Sequence, residues 1–516
     1  MAGASPLAPV PPPPLQGAAL VAGTLGVSLA TFMTVLDSSI ANVSLPAIAG
    51  DLGVSPAQST WVVTSFGVAN AIAVPLTGWL ARRFGQVRLM VWSVLAFTLF
   101  SWMCGAAPSL EILILARVLQ GLAAGPLIPI SQVLLLSSYT PARAGTAMAA
   151  WGVTVLVAPV VGPLLGGWIT DNISWPWIFY INIPVGLLSA AMTWSVYRER
   201  ESPHGRAPLD YAGLALLVIW VGALQLMVDL GKEHDWFESD LIVTLGLIAA
   251  LGFVFFLAWE LTERDPVVDL RLFTQRNFTL GTIAFSVSYG LFFGNVVLLP
   301  LWLQQHMAYT ATWAGAVLAP VGVFAIMLSP WVGRNLARFE PRTLATISFF
   351  GYALVLWLRA RVTVDADLWT ILLPTLLQGA ATAFYFIPLQ AIIYSGLPPA
   401  RLPAAGGLST FVRFVAGAVG TSVFATAWER RAVLHHARLT EIVDLQGPGA
   451  LPAMQALQGA GLAEPQSWAL VNRLIDQQAY TLAVTDVFAL SAWLYLLLLL
   501  PLWSTAPMLR RTAAAR

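Results

Sequence analysis

Charge is what this 516-residue chain has least of: Asp, Glu, Lys and Arg make up 10% of it while 58% is hydrophobic, with mean hydropathy +0.76. An ordinary soluble domain carries roughly 25% charged residues. So little polar surface excludes a water-soluble globule and leaves an integral membrane protein. Cysteine is almost missing too: Cys104 is alone, which excludes an internal disulfide and leaves it a packing role, without metal-ligand company. Net charge is +1 and no basic run occurs, so a nucleic-acid partner is not expected. There is no Gly-rich phosphate loop with a lysine, so direct use of ATP is not expected either. No cofactor is called for, and an ion or proton gradient remains as the energy source. The proline-rich start, Pro6 to Pro14, lacks Lys or Arg ahead of the first apolar run, so it does not read as a secretory signal.

What the chain has is long apolar runs, each of the length a membrane-spanning helix needs. Fourteen are delimited by charge, Pro or Gly, near 18–45, 57–79, 87–106, 110–137, 144–170, 175–197, 209–229, 239–260, 277–303, 311–333, 343–361, 366–395, 404–428 and 484–504. Most of the 26 Lys and Arg residues fall in loops on the N-terminal side and in the C-terminal tail. The short loops of the other side hold only Lys232, Arg359 and Arg361, and its one long loop holds Arg430, Arg431, Arg438 and Arg473. The positive-inside rule then puts both chain ends in the cytoplasm.

An internal repeat organises these spans. Leu119-Gln120-Gly121 returns as Leu377-Gln378-Gly379, Pro141-Ala142-Arg143 as Pro399-Ala400-Arg401, and Val157-Ala158 with Gly162 as Val415-Ala416 with Gly420, each 258 residues later. The expected fold is therefore all-α: an N-terminal tail (1–17), a six-helix half (18–197), a linker with an inserted two-helix hairpin (198–276), a second six-helix half (277–504) and a tail (505–516). Parallel halves of this kind belong to transporters, with the substrate site between them near mid-membrane. The loop at 429–482 is the sizeable polar piece, with helical patches around Gly447-Pro448-Gly449. Its His435 and His436 lack the spacing of a metal site.

Asp37 and Arg117 carry charge inside apolar runs. Each lies roughly 12–13 Å from the outer end of its span at 1.5 Å per residue, so a direct or water-bridged pair is allowed. An aspartate there costs roughly 2.5–3.5 kcal/mol at a helix centre. Either Asp37 sits by the interface and the pair only fixes packing, or Asp37 exchanges a proton while Arg117 tunes its affinity for it. Arg413 lies at another depth and is assigned either to helix-end carbonyls or to anionic substrate. The loop Gly78-Trp79-Leu80-Ala81-Arg82-Arg83-Phe84-Gly85-Gln86-Val87-Arg88 reads as a cytoplasmic hinge or as simple positive-inside anchoring. In span 5, Ala158, Gly162 and Gly166 share a face that lets a neighbour approach, and Pro159 and Pro163 loosen the backbone.

These residues resemble the major facilitator superfamily, and within it the fourteen-helix drug:proton antiporters. The loop at Gly78, Arg82, Arg83, Gly85 and Arg88 is similar to the family's first-loop motif, with Arg82 at its acidic position. Leu113 to Ala124, with Arg117, Gln120 and Gly121, is similar to the span 4 motif linked with proton transfer. Gly162, Pro163, Gly166 and Gly167 match the antiporter motif, and Leu36-Asp37 to Pro46 the span 1 motif of the fourteen-helix branch. Further likeness at Thr60–Asn70, Ala124–Pro129 and Tyr309–Gly315 is to the inner-membrane subunits of tripartite multidrug exporters. The resemblance implies export of hydrophobic drugs and uncoupler-like weak acids driven by proton influx, with Asp37 and Arg117 in coupling. It implies a periplasmic EmrA-type adaptor and a TolC-type outer-membrane channel as partners. By the same analogy Asn42, Thr64, Phe66, Asn70, Gln132, Trp151, Phe292, Asn295, Phe384, Tyr385, Gln390 and Phe411 join Arg413 as substrate-binding expectations. Export of one native metabolite or lipid is the nearest alternative, and a channel or sensor the more distant one.

Overall fold

The computed structural model describes residues 13–140, 143–205, 208, 210–231, 234–309, 311–318, 320–336, 338–442 and 450–507. Among them there are helices and no strands. Twelve helices are long and apolar enough to cross a membrane, and a thirteenth is a bent pair. A further helix of 29 residues at Ala144–Asn172 completes the set. In chain order α1 is Gly17–Leu52, α2 is Trp61–Ala73 continued by Thr77–Phe84, α3 is Gln86–Gly105, α4 is Leu110–Ala124 continued by Leu127–Ser138, and α5 is Ala144–Asn172. Next come α6 (Asn182–Tyr197), the hairpin α7 (Tyr211–Leu230) and α8 (Asp240–Thr262), and α9 (Arg276–His306). The rest are α10 (Ala311–Leu318 and Pro320–Asn335), α11 (Pro341–Arg359), α12 (Leu368–Ala383 and Phe386–Tyr394), α13 (Leu402–Ile442) and α14 (Glu464–Leu497). The bend in α2 is 61°, at Pro75, where the ring removes a helix hydrogen bond and crowds the preceding turn.

The repeat is visible in the packing. In the first half α1 packs on α5 and α6; in the second α9 packs on α13 and α14. Gly162 and Gly166 of α5 lie directly on Ser39 and Ile40 of α1, so a side chain at either would displace the partner helix. Gly420, 258 residues after Gly162, lies in the same way on Gly290 of α9. Gly167 is looser, with only Val43 near it, and the side chain of Pro163 lies outside the described part of the chain.

The first and last described residues are fastened at the same end of the bundle. Leu15 N–H donates to the Ser138 carbonyl at 2.8 Å, and Arg342 donates to the Thr505 carbonyl at 3.0 Å. Arg82, Arg83 and Arg88 are exposed at this end, and we call it the arginine end. The loop there is strapped to the linker: the Glu201 carboxylate accepts from the backbone N–H groups of Val87 (3.0 Å) and Arg88 (2.9 Å). These are free donors at the start of α3, and a carboxylate is the natural group to hold them. Gly85 fits because its φ of +87° lies in the left-handed region and the Glu201 carboxylate fills the space a Cβ would need.

At the opposite end α13 and α14 run on beyond the apolar stretches that mark their spans. Trp428 Nε1 donates to the Tyr480 carbonyl at 3.0 Å, Arg431 and His435 both meet Asp486, and His436 meets Asp476 at 2.7 Å. The 429–482 segment is thus largely helix, with a short piece at Ala450–Gly459. Gly447-Pro448-Gly449 lies outside the described residues. Arg359, placed in an outside loop by sequence, is instead the last residue of α11 and 2% exposed. Its guanidinium turns back into the bundle to meet Thr375 of α12.

Candidate functional site

The Asp37 and Arg117 side chains meet at 2.6 Å, and both are fully buried. α1 supplies the carboxylate and α4 the guanidinium, at matching depth because each counts a similar number of residues from the same end. Arg117 Nε donates to the Val62 carbonyl of α2 at 2.9 Å, and Nη1 also donates to Gln120 Oε1 at 2.7 Å. The guanidinium carbon lies 4.2 Å from the ring centre of Phe66 and 5.5 Å from that of Phe179. On the other side, Asp37 Oδ1 accepts from Gln120 Nε2 (3.1 Å) and Asn182 Nδ2 (2.9 Å). Ser101 ties the amides together, accepting from Asn182 at 2.9 Å and Gln120 at 3.2 Å while donating to the Phe179 carbonyl. Cys104 closes the cluster as packing, its thiol 3.5 Å from Gln120 Oε1.

Three donors therefore converge on one buried carboxylate, Arg117 on Oδ2 and the two amides on Oδ1. Asp37 is sealed in this conformation, so exchange with water requires another one. Arg117 is itself anchored to the Val62 carbonyl and the Phe66 ring, so the carboxylate joins α1 to the α2–α4 pair.

Asn182 and Ser101 are the residues sequence reasoning missed. Asn and Ser near a span end carry no signal of their own; only a depth count matching Asp37 would have marked Asn182.

A second cluster joins the halves. Gln132 and Gln390, 258 residues apart, hydrogen-bond across the interface at 3.0 Å, and Tyr394 donates to the same Gln132 Oε1 at 2.7 Å. Arg413 is buried beside them, donating to Gln390 Oε1 and Thr410 Oγ1, with its guanidinium carbon 4.4 Å from the Phe285 ring centre. It therefore braces the seam rather than a helix-end carbonyl. Around it the halves touch through backbone: Gly78 lies on Ala404, Gly407 on the Val74 carbonyl, and Gly145 on Gly333. All of these contacts are toward the arginine end, so this conformation is shut there.

The remaining expected substrate contacts are scattered. Asn42 is exposed on α1, Thr64 hydrogen-bonds Asp229 at the end of α7, and Asn70 is buried with its Oδ1 free of a protein partner. Phe66 lies under Arg117. Trp151 is buried, donating to Ser131 at 3.2 Å, and Tyr385 is buried with its hydroxyl 2.8 Å from Ser288; both read as packing. Phe292 stacks on Tyr385, Phe384 packs on Trp331, and Asn295 is buried beside Ser491. Phe411 differs from expectation: it faces Trp220 of α7 at 5.7 Å, not the space between the halves. The reason is the inserted hairpin, which gives α13 an extra apolar neighbour. Phe411 there helps line an apolar groove of about 680 Å³ between the hairpin and α13. Among the described residues no group of His, Cys, Asp and Glu could hold a metal.

If Arg117 tunes Asp37, Arg117→Lys keeps a cation but loses the fork that reaches Val62 and Asp37 together. The expected outcome is a shifted pH dependence of transport with the protein still folded. An unchanged pH profile with reduced expression would make the pair a packing device only.

Comparison with known proteins agrees with this geometry. Residues 27–421 match the family model of the Major Facilitator Superfamily. The multidrug export protein EmrB of Escherichia coli K12 is 49% identical over 499 residues, covering 96% of this chain and 97% of that one. The fatty acid resistance protein FarB of Neisseria gonorrhoeae is 45% identical over 495 residues, covering 96% and 98%. Among solved structures the human organic anion transporter MFSD10 superposes with a TM-score of 0.56 at 14% identity, over 93% of this chain and all of that one, which speaks for the fold alone. With paired six-helix halves, an inserted hairpin and a family match running through most of both, the chain belongs to the major facilitator superfamily, in its EmrB-like branch, and is a transporter rather than an enzyme.

Proposed function

We propose that the protein exports hydrophobic drugs and uncoupler-like weak acids in exchange for protons, by alternating access, as the inner-membrane subunit of a tripartite pump. The observation that carries this reading is the sealed Asp37–Arg117 pair, one titratable carboxylate whose partners lie on two other helices, α4 and α6, with Arg117 tied in turn to α2. Substrate and proton then compete for the same conformational change rather than the same atoms. The position of Leu15 and Thr505 at the arginine end supports cytoplasmic termini, which makes the shut end the cytoplasmic one. Proton release on adding drug to proteoliposomes tests the coupling; drug movement without proton movement would overturn it.

The partners on this reading are an EmrA-type adaptor and a TolC-type channel. Export to the periplasm alone lets a lipophilic compound re-enter the inner membrane. The likeness to EmrB over nearly the whole chain supports this assignment, as do the projecting ends of α13 and α14. Shortening 440–475 to a Gly/Ser linker separates docking from a cap over the outer cavity. Docking gives retained proteoliposome transport with lost cellular resistance and lost adaptor co-purification; equal loss in both assays favours the cap. A second reading, export of a native lipid-like amphiphile, draws support from the likeness to FarB and from the apolar groove beside the hairpin.

A further inference from the structure

The second half has no counterpart of the Asp37–Arg117 pair, yet it has a buried cation in the matching place. The residues 258 positions after Asp37, Ser101, Arg117 and Gln120 are Asn295, Arg359, Thr375 and Gln378. Arginine has moved from the α4 position to the α3 position of the repeat, and the carboxylate has become an amide. Arg359 Nη2 donates to Thr375 Oγ1 at 3.0 Å, and among the described residues it has no acidic partner within ion-pair distance.

Three polar atoms of this cluster lack any protein partner: Arg359 Nε, Asn295 Oδ1 and Gln378 Oε1. Their residues are 2%, 3% and 4% exposed. All three line one cavity of about 10 Å³, walled by Phe292, Tyr352 and Tyr495. The amide assignment of Asn295 is fixed, because Nδ2 donates to the Leu291 carbonyl at 2.6 Å and a carbonyl only accepts; the atom left without a protein partner is therefore the acceptor Oδ1. One donor and two acceptors match the valence of one water molecule, which accepts from Nε–H and donates to both amide oxygens. The volume is that of a single water. A halide is disfavoured by the negative end of the Asn295 amide.

We propose that a resident water bound by Arg359, Asn295 and Gln378 holds, in the second half, the place that the Asp37 carboxylate holds in the first. The second half then carries a fixed positive charge that no proton can neutralise. The assignment stands on the geometry alone and does not depend on what is transported.

Two measurements test it. A density map of the intact protein in bromide-containing buffer, at a resolution that resolves ordered water, shows a water-sized peak within hydrogen-bond distance of all three atoms. An empty cavity or a bromide peak overturns the proposal. Thermal unfolding of two variants is independent of the map. Asn295→Asp puts a carboxylate beside Arg359 and displaces the water, while its second oxygen must turn from the Leu291 carbonyl; relative to Asn295→Leu it shifts the midpoint upward at pH 8. A carboxylate so paired titrates below its unfolded value, so this gain is lost as pH falls through that lowered range. Asn295→Leu removes an acceptor and the room for the water, and lowers the midpoint at every pH. An Asn295→Leu midpoint equal to or above wild type overturns the assignment, as does an Asn295→Asp gain that is independent of pH.

Discussion

Asp37→Asn is expected to abolish drug-driven proton movement while the protein still reaches the membrane at near-normal levels. The amide is nearly isosteric, and its oxygen still accepts a hydrogen bond from Arg117, so the packing of α1 against α4 survives. What is lost is the charge that a proton can cancel. Asp37→Ala is a harsher change: it leaves Arg117 buried without its anion, and breaking a buried pair in this way costs about 3–5 kcal/mol. That variant should lose protein as well as transport, and the contrast between the two separates coupling from folding. Proteoliposomes with a pH-sensitive dye inside give the readout. Full resistance in cells carrying Asp37→Asn would end the case for this residue as the coupling site.

The second large effect is expected at a residue that touches neither proton nor drug. Gly145 of α5 and Gly333 of α10 lie backbone to backbone across the seam between the halves, and a methyl group on Gly145 would fall inside the Gly333 carbonyl. Gly145→Val therefore works against one conformation of the protein, the one shut at the arginine end. Overpacking of about 2 kcal/mol lowers the ratio of that state to the open one roughly thirtyfold. Each half keeps its own core, so the variant folds but stays open at the arginine end, and transport falls by a similar factor. A cysteine introduced at Gln390, buried in the seam, should react with a maleimide much faster in the Gly145→Val background. Cys104 is buried and adds little to the signal. Unchanged labelling would mean the seam tolerates the side chain and does not govern closure.

How far these sites could be read without coordinates depends on how unusual each residue is for its surroundings. Asp37 and Arg117 stand out because charge in an apolar run is costly, and counting residues from a span end gives their depth. Asn182 completes the same carboxylate site but is an ordinary residue at an ordinary helix start. Arg359 was misplaced because it ends an apolar run with Arg361 close behind, which is the pattern of a loop. The repeat register would have corrected this, since Arg359 falls where Ser101 faces Gln120. Phe411 was misread for a topological reason: the hairpin covers a face of α13 that the six-helix repeat alone would leave toward the cavity or the lipid. Apolarity marks only the membrane-crossing part of a helix, so it does not reveal the polar extensions of α13 and α14. Beyond the membrane each helix is held by its neighbour, through Arg431, His435 and His436, with no need of a lipid-facing surface.

Those extensions also act as a lever. α13 has 41 residues, about 60 Å at 1.5 Å per residue, against a hydrocarbon core of roughly 30 Å. Past the apolar stretch at 404–428, residues 429–442 stand clear of the bilayer as a stiff arm of roughly 20 Å, clamped to α14 by paired charges and rooted in the second half. A rigid-body turn of about 15°, the size seen when subunits switch, swings the tip of a ~20 Å arm by about 5 Å. Motion that is small where Asp37 and the seam lie becomes large at the far end, where anything bound to the arm would feel each cycle as a stroke.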